Sequence, residues 1–186
     1  ENILDMAAAP GGKTTQMAAI TNNKAFITAV EKNKIRAERL KYNLQKQGVG
    51  CVNVMLEDAR KLSDFFLFDK ILLDAPCSGS GTMSILDKNF NEELIKRSSK
   101  TQAELLKKAL KILKPGGEMV YSTCSILKQE NEEILEKVLT KADAEIDPIK
   151  LTENIITLPS KIEGTITVCP TENYEGFFVV KIRKLK

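Results

Sequence analysis

The sequence predicts an α/β fold: a mostly parallel sheet with helices on both faces and an antiparallel strand pair near its C-terminal end. Three observations predict it. Short apolar runs alternate with helix-period segments as far as Leu139, acids close consecutive runs, and the last third carries strand-like runs with little helix between them. Ligands of such sheets bind beyond the carboxyl ends of the strands, which makes the residues at those ends the candidates for function.

Ile3 to Met6 reads as the first strand and Thr14 to Ile20 as the first helix. Ala25 to Val30 is the second strand, closed by Glu31. Lys34 to Gln47 places Ile35, Ala37, Leu40 and Leu44 among basic residues at helical spacing, and Gly48 stops it. Val52 to Leu56 is the third strand, and Lys70 to Leu73 the fourth, ending at Asp74. Glu92 to Leu113 reads as a long helix ended by Lys114-Pro115-Gly116-Gly117, after which Glu118 to Ser122 is strand and Gln129 to Leu139 helix. Lys141 to Lys161 has no legible period. Thr165 to Cys169 and Gly176 to Ile182 read as an antiparallel pair joined by the turn-rich Pro170 to Glu175.

At 186 residues, 42% hydrophobic and 28% charged, the chain suits one compact domain, residues 1–186. A net charge of +3 permits a nucleic-acid partner without demanding one. Histidine is absent, which excludes Ser-His and Cys-His nucleophile pairs and the commonest metal ligand. Cys51, Cys77, Cys124 and Cys169 form no C-x-x-C, so no metal is expected, and free thiols in a reducing cytoplasm are the better reading than disulfides. No apolar run reaches the length of a membrane span. The first residue is Glu1, as expected of a fragment.

Ala7-Ala8-Ala9-Pro10-Gly11-Gly12-Lys13-Thr14 admits two readings. As a relaxed phosphate loop it would use Lys13 on ATP phosphates, Thr14 on magnesium and Asp74 beside the metal. As a nucleoside-cofactor turn it needs glycines for close approach, and an acid at the end of the second strand to accept from ribose hydroxyls. Gly11 and Gly12 meet the first demand, and Glu31, 19 residues beyond Gly12, meets the second. Asp58, just after the third strand, is placed to accept from an adenine amino group. Three acids in register with strand ends, Glu31, Asp58 and Asp74, favour the nucleoside cofactor.

Cys77 and Cys124 follow the fourth and fifth strands in turns rich in Gly, Ser and Thr, so both thiols are expected at the edge that holds the cofactor loop. Cys51 and Cys169 sit in or beside apolar segments and read as packing residues.

With these residues in hand, the sequence resembles the Nop/Sun family of RNA cytosine-5 methyltransferases, which has the class I S-adenosylmethionine-dependent fold. The resemblance runs through Leu4 to Thr14, Asp74-Ala75-Pro76-Cys77-Ser78-Gly79, Lys114-Pro115-Gly116-Gly117, Tyr121-Ser122-Thr123-Cys124-Ser125 with Glu130-Asn131-Glu132, and Gly176-Phe177-Phe178. It implies that Ala7, Ala8, Ala9, Pro10, Gly11, Gly12, Lys13, Glu31, Asp58 and Asp74 line an S-adenosylmethionine site. It implies Cys124 as nucleophile and Cys77 as the residue that assists release. It also implies tRNA or rRNA with an unpaired or flipped-out cytosine as partner, and a monomeric cytoplasmic enzyme lacking here the family's N-terminal RNA-binding extension. Asp74 is expected at the base or at the cofactor. The amino end of the helix near Gln129, together with Lys13, is expected to favour the Cys124 thiolate. The basic residues Lys34, Arg36, Arg39 and Lys41 are expected on a solvated helix face.

Overall fold

The computed structural model describes residues 1–82, 91–151 and 155–186. The elements are β1 (Asn2–Asp5), α1 (Gly12–Ile20), β2 (Phe26–Glu31), α2 (Lys34–Lys46), β3 (Val52–Leu56), β4 (Phe68–Asp74), α3 (Glu92–Ile112), β5 (Leu113–Thr123), α4 (Glu132–Leu139), β6 (Ala144–Ile146), β7 (Thr157–Leu158), β8 (Ile166–Val168) and β9 (Phe177–Lys184). They form one sheet in the order β3-β2-β1-β4-β5-β9-β8-β7, with β6 also pairing β9. The first five strands in that order are mutually parallel; β9 runs antiparallel to β5, as do β8 and β6 to β9.

Period-two alternation assigns the two faces. Leu4, Ile71, Leu73, Met119, Tyr121, Phe178, Val180 and Ile182 point one way and pack beneath Leu106 and Ala109 of α3 and Leu135 and Val138 of α4. Burying a side chain as completely as Leu106 contributes about 2 kcal/mol. Ile3 and Ile27 face the other way against Ala18 of α1, and Ala29 meets Leu40 and Leu44 of α2. Asn33 caps α2 by accepting from the Arg36 amide, and Asn91 caps α3 by accepting from the Leu94 amide, where Glu92 and Glu93 also suit the positive end of the helix.

Three expectations need correction. Lys114 to Gly117 does not simply end a helix: α3 stops at Ile112, and these residues bulge within β5. Pairing jumps from Phe68 with Leu113 to Lys70 with Glu118, so they lie opposite Asp69 alone. The Lys114 ammonium, 2.6 Å from Asp69 Oδ1, holds the bulge, and Gly116 takes φ +74°, open to glycine at little cost. Second, the helix expected from Gln129 is broken. Lys128–Glu130 form a 3-10 turn, and α4 begins at Glu132 after Asn131 leaves helical geometry and spends its amide group on the Ser125 carbonyl. Third, the expected antiparallel pair is present as β8 and β9 but is not the whole: β9 pairs β5 on one side and the short β8 and β6 on the other, and β6 and β7 both lie within the stretch that showed no period, of which residues 152–154 fall outside the described residues. Short, partly exposed strands bury too little to leave a periodic signature.

Candidate active site

The loop after β1 extends the sheet ladder before it turns. The Met6 amide donates to Leu72 O and the Ala8 amide to Val30 O, both at 3.0 Å, which suspends the loop between β4 and β2. Gly11 has φ +110°, and a Cβ there would lie 2.8 Å from Leu40 Cδ1, so the turn is open only to glycine. Two α2 side chains hold the loop carbonyls: Arg36 Nη2 donates to Ala9 O at 2.6 Å and Asn43 Nδ2 to Pro10 O at 2.7 Å. Arg36 stays on the exposed face of α2, as expected, but its guanidinium also reaches back to the loop. Nothing in local sequence separates it from Lys34 or Arg39; only the approach of α2 to the loop does.

Beneath the loop, Asp5 is 1% exposed, and Thr14 Oγ1 donates to its Oδ2 at 2.7 Å. Burial pushes its carboxyl up to about 6, against the pull of the Thr14 hydrogen bond. With Thr14 fully buried and its hydroxyl spent on Asp5, the phosphate-loop reading loses its magnesium ligand. Lys13 argues the same way, since its ammonium sits 2.7 Å from Asp74 Oδ2 and 5.7 Å from the centre of the Phe177 ring.

A groove with about 210 Å³ of free space opens at the carboxyl ends of β1, β2, β4 and β5, lined among others by Ala7, Ala9, Glu31, Asp58, Asp74, Cys77 and Cys124. Ala8, Pro10, Gly11 and Gly12 form the loop behind it. Lys13 instead lines the neighbouring groove, with Met17, Leu72 and Val120. The expected positive charge beside Cys124 is thus neutralised by Asp74.

Glu31, although only 4% exposed, keeps acceptor capacity: Oε1 receives the Asn33 amide at 2.8 Å and Oε2 lies 3.4 Å from Arg36 Nη1, out of about four lone-pair directions. Asp58 caps the 3-10 turn Ala59–Lys61 and is gripped by the Arg60 guanidinium, which also reaches Glu104. Those hydrogen bonds hold Asp58 down at about 2, so it is an ionised acceptor at any ordinary pH. Asp74 Oδ1 receives the Ser122 hydroxyl at 2.7 Å, a bond set by the pairing of Asp74 with Ser122 across β4 and β5.

The two cysteines after β4 and β5 meet, with Cys77 Sγ 2.9 Å from Cys124 Sγ. The contact follows from the register: the Ala75 amide donates to Ser122 O at 2.8 Å and the Gly81 amide to Cys124 O at 3.0 Å, so the two loops are zipped together on both sides of the thiols. Cys124 is lowered to about 7, first by the hydrogen bond from Cys77 and against its own burial, whereas that same bond and burial raise Cys77. Of the two, Cys124 is therefore the sulfur that ionises first, while Cys77 holds its proton to higher pH. The expected helix end is not the cause, because the α4 start lies beyond the broken turn and carries Glu132 and Glu133. Cys51 and Cys169 lie away from the groove; Cys51 packs beside Ile3 and Ala18, and Cys169 sits in the turn after β8.

An open parallel sheet of this order, closed by an antiparallel strand and carrying a glycine turn after β1 and acids at the ends of β2 and β4, is the architecture of class I methyltransferases. Within that class, the chain belongs to the family described as 16S rRNA methyltransferase RsmB/F, which it matches over residues 1–183. It is 39% identical over 201 residues to the tRNA (cytosine(49)-C(5))-methyltransferase of Pyrococcus abyssi, covering 99% of this chain and 64% of that relative. It is 42% identical over 193 residues to the ribosomal RNA small subunit methyltransferase F of Aliivibrio salmonicida, covering 99% of this chain and 41% of the relative. Among solved structures, NSun6 from Pyrococcus horikoshii with SFG superposes with a TM-score of 0.90 at 36% identity, over 99% of this chain and 48% of that one. The chain thus spans less than two thirds of the length of these relatives. Among the described residues, no helix is long and apolar enough to cross a membrane.

Proposed function

We propose that the chain is the catalytic part of an S-adenosylmethionine-dependent RNA methyltransferase. It would methylate carbon 5 of a cytosine in tRNA or rRNA through a covalent Cys124 adduct, with Cys77 assisting release. The observation that carries this reading is the thiol pair itself, 2.9 Å apart at the groove. The names of the RNA-modifying relatives support the substrate class.

The donor set fits an adenosine-containing ligand. Glu31 has lone pairs left for two ribose hydroxyls, Asp58 lines the groove as an ionised acceptor whose oxygens are shared with the Arg60 amide and guanidinium, and the Ala7–Gly12 loop offers close backbone approach. The bound S-adenosylmethionine supplies an electrophilic methyl group. Cytosine carbon 5 is a poor nucleophile until carbon 6 is attacked. The Cys124 sulfur, about half ionised at pH 7 where an ordinary thiol is a few per cent so, forms the bond to carbon 6. Asp74, whose charge Lys13 balances, would accept from the amino group of the base. After carbon 5 has gained the methyl group, its C–H bond breaks and the proton leaves to solvent. That electron pair makes the C5–C6 double bond, and the C6–S bond breaks with its pair returning to Cys124. The target base must be unpaired or flipped out, since carbon 6 is shielded in a stacked helix.

Full-length protein carrying Cys124→Ala is expected to form no 5-methylcytosine while still binding S-adenosylmethionine by calorimetry. Cys77→Ala is expected to accumulate a protein–RNA adduct on a denaturing gel. Near-wild-type methylation by the first variant would remove Cys124 as nucleophile.

A further inference from the structure

Glu130 ends the 3-10 turn after β5, is fully buried, and among the described residues pairs with no Lys or Arg. Its partners all belong to the Cys77 side of the site. Oε1 receives the Ser78 amide at 2.8 Å and Gln102 Nε2 at 3.3 Å, and Oε2 receives the Ser78 hydroxyl at 2.5 Å. Gln102 Nε2 also donates to Pro76 O at 2.9 Å, so Glu130 grips the residues on both sides of Cys77. Its own backbone is fixed in turn, for the Tyr121 hydroxyl donates to Glu130 O at 2.6 Å.

A buried carboxylate without a cation is costly unless its hydrogen bonds offset the lost hydration. Tying a turn down does not need that charge. A neutral Gln at 130 could accept from the Ser78 amide, and the Ser78 hydroxyl could reverse to accept from its amide nitrogen. What only the carboxylate does is accept from every donor at once and set a negative charge behind Cys77.

We infer that Glu130 is a positioning residue for Cys77, acting through Ser78 and Gln102 in the release half of the reaction; the inference rests on the function proposed above. The two loops bring Cys77 Sγ to the nucleophile only while residues 76 to 78 are held, and the held turn has one buried anchor common to Ser78 and Gln102. The charge opposes a thiolate on either sulfur, and at Cys77 it adds to what already holds the proton there. Cys77 is raised first by its bond to Cys124 and by burial, with the Glu130 carboxylate adding in the same direction. Cys77 therefore keeps its S–H, which donates to the Cys124 sulfur as the C6–S bond breaks and the electron pair returns to that sulfur.

The test uses full-length protein, in vitro-transcribed tRNA and small-subunit rRNA as acceptors, and S-adenosylmethionine carrying a labelled methyl group. Glu130→Gln is expected to keep its cofactor affinity and its single-turnover methyl transfer to RNA. Its kcat should fall on the order of tenfold with KM little changed, and the covalent adduct should accumulate as it does for Cys77→Ala. In a Cys77→Ala background, Glu130→Gln should add nothing further. Ser78→Ala, which deletes one of the three donors and leaves the carboxylate in place, should build up adduct in the same direction and to a smaller extent, and it serves if Glu130→Gln fails to fold. A folded Glu130→Gln protein that turns over without adduct, or that slows equally when Cys77 is absent, would overturn the inference. Were Cys77→Ala itself to give no adduct, the proposed division between the cysteines would fail instead.

Discussion

Replacing Asp5 by Asn should make this protein more stable at neutral pH, although Asp5 lies under the cofactor loop and is hydrogen-bonded there. Its carboxyl is raised from the ordinary 3.8 to about 6 because it is buried, and the Thr14 hydroxyl only partly offsets that. A folded state that holds the proton more tightly than the unfolded chain is favoured at low pH. The favourable contribution is complete below about 4 and is lost as pH rises through about 6. The gap between the two values, at about 1.36 kcal/mol per unit, caps the loss at about 3 kcal/mol by pH 7.5, and roughly half of it has already occurred by pH 5. Asn has nearly the same shape, can accept from the Ala7 amide, and can donate to a Thr14 hydroxyl that reverses its direction. The variant should therefore gain on the wild type at pH 7.5, and the gain should shrink by about 1.4 kcal/mol at pH 5. Urea unfolding of both proteins at both pH values measures this. Other carboxylates, Asp58 among them, pull stability the opposite way with pH but cancel in the difference between the two proteins. A stability difference that does not change between pH 7.5 and 5 would show that Asp5 carries no raised proton affinity in the fold.

Gly81→Ala should destabilise the site from its backbone outward. The new Cβ would overlap the carbonyl of Gly176, and because the atoms it meets are all Gly176 backbone, no rotamer relieves it. A cost of about 2 kcal/mol or more and a melting temperature lower by roughly 5 °C or more are expected by scanning fluorimetry. Formation of the Cys124 adduct in pre-steady-state assays should rise tenfold per pH unit on the acid side and level off above about 7. Removing the donor with Cys77→Ala should carry that limb to higher pH, and a limb that stays in place would assign the lowered Cys124 value to some other cause.

Much of the fold was legible because strands and helices announce themselves through burial with a period of about 2 or 3.6 residues, and in a parallel sheet the end of every strand reaches the same edge. Glu31, Asp58, Asp74, Cys77 and Cys124 could be nominated from position alone, and all five line one groove. Arg36 and Asn43 could not, since their task is to hold carbonyls 27 and 33 residues away in the chain. Lys13 is expected at the cofactor loop from its motif, and only the tertiary structure shows that its ammonium faces Asp74 and the Phe177 ring. The Lys114–Gly117 bulge looked like a helix stop because Pro and Gly mark both, and only its pairing around Asp69 separates the two.

By itself, then, the sequence determined which side chains would stand at the working edge of the sheet. What the tertiary structure alone decided is how they meet: which sulfurs touch, which cation is spent on which acid, and which buried carboxylate holds the Cys77 turn. These depend on the pairing of β4 with β5, which joins Asp74 to Ser122, and on loops packed across it that bring Ser78 to Glu130. Hydrogen bonds and proton affinities change over tenths of an ångström, and local sequence patterns carry no distances between segments so far apart in the chain.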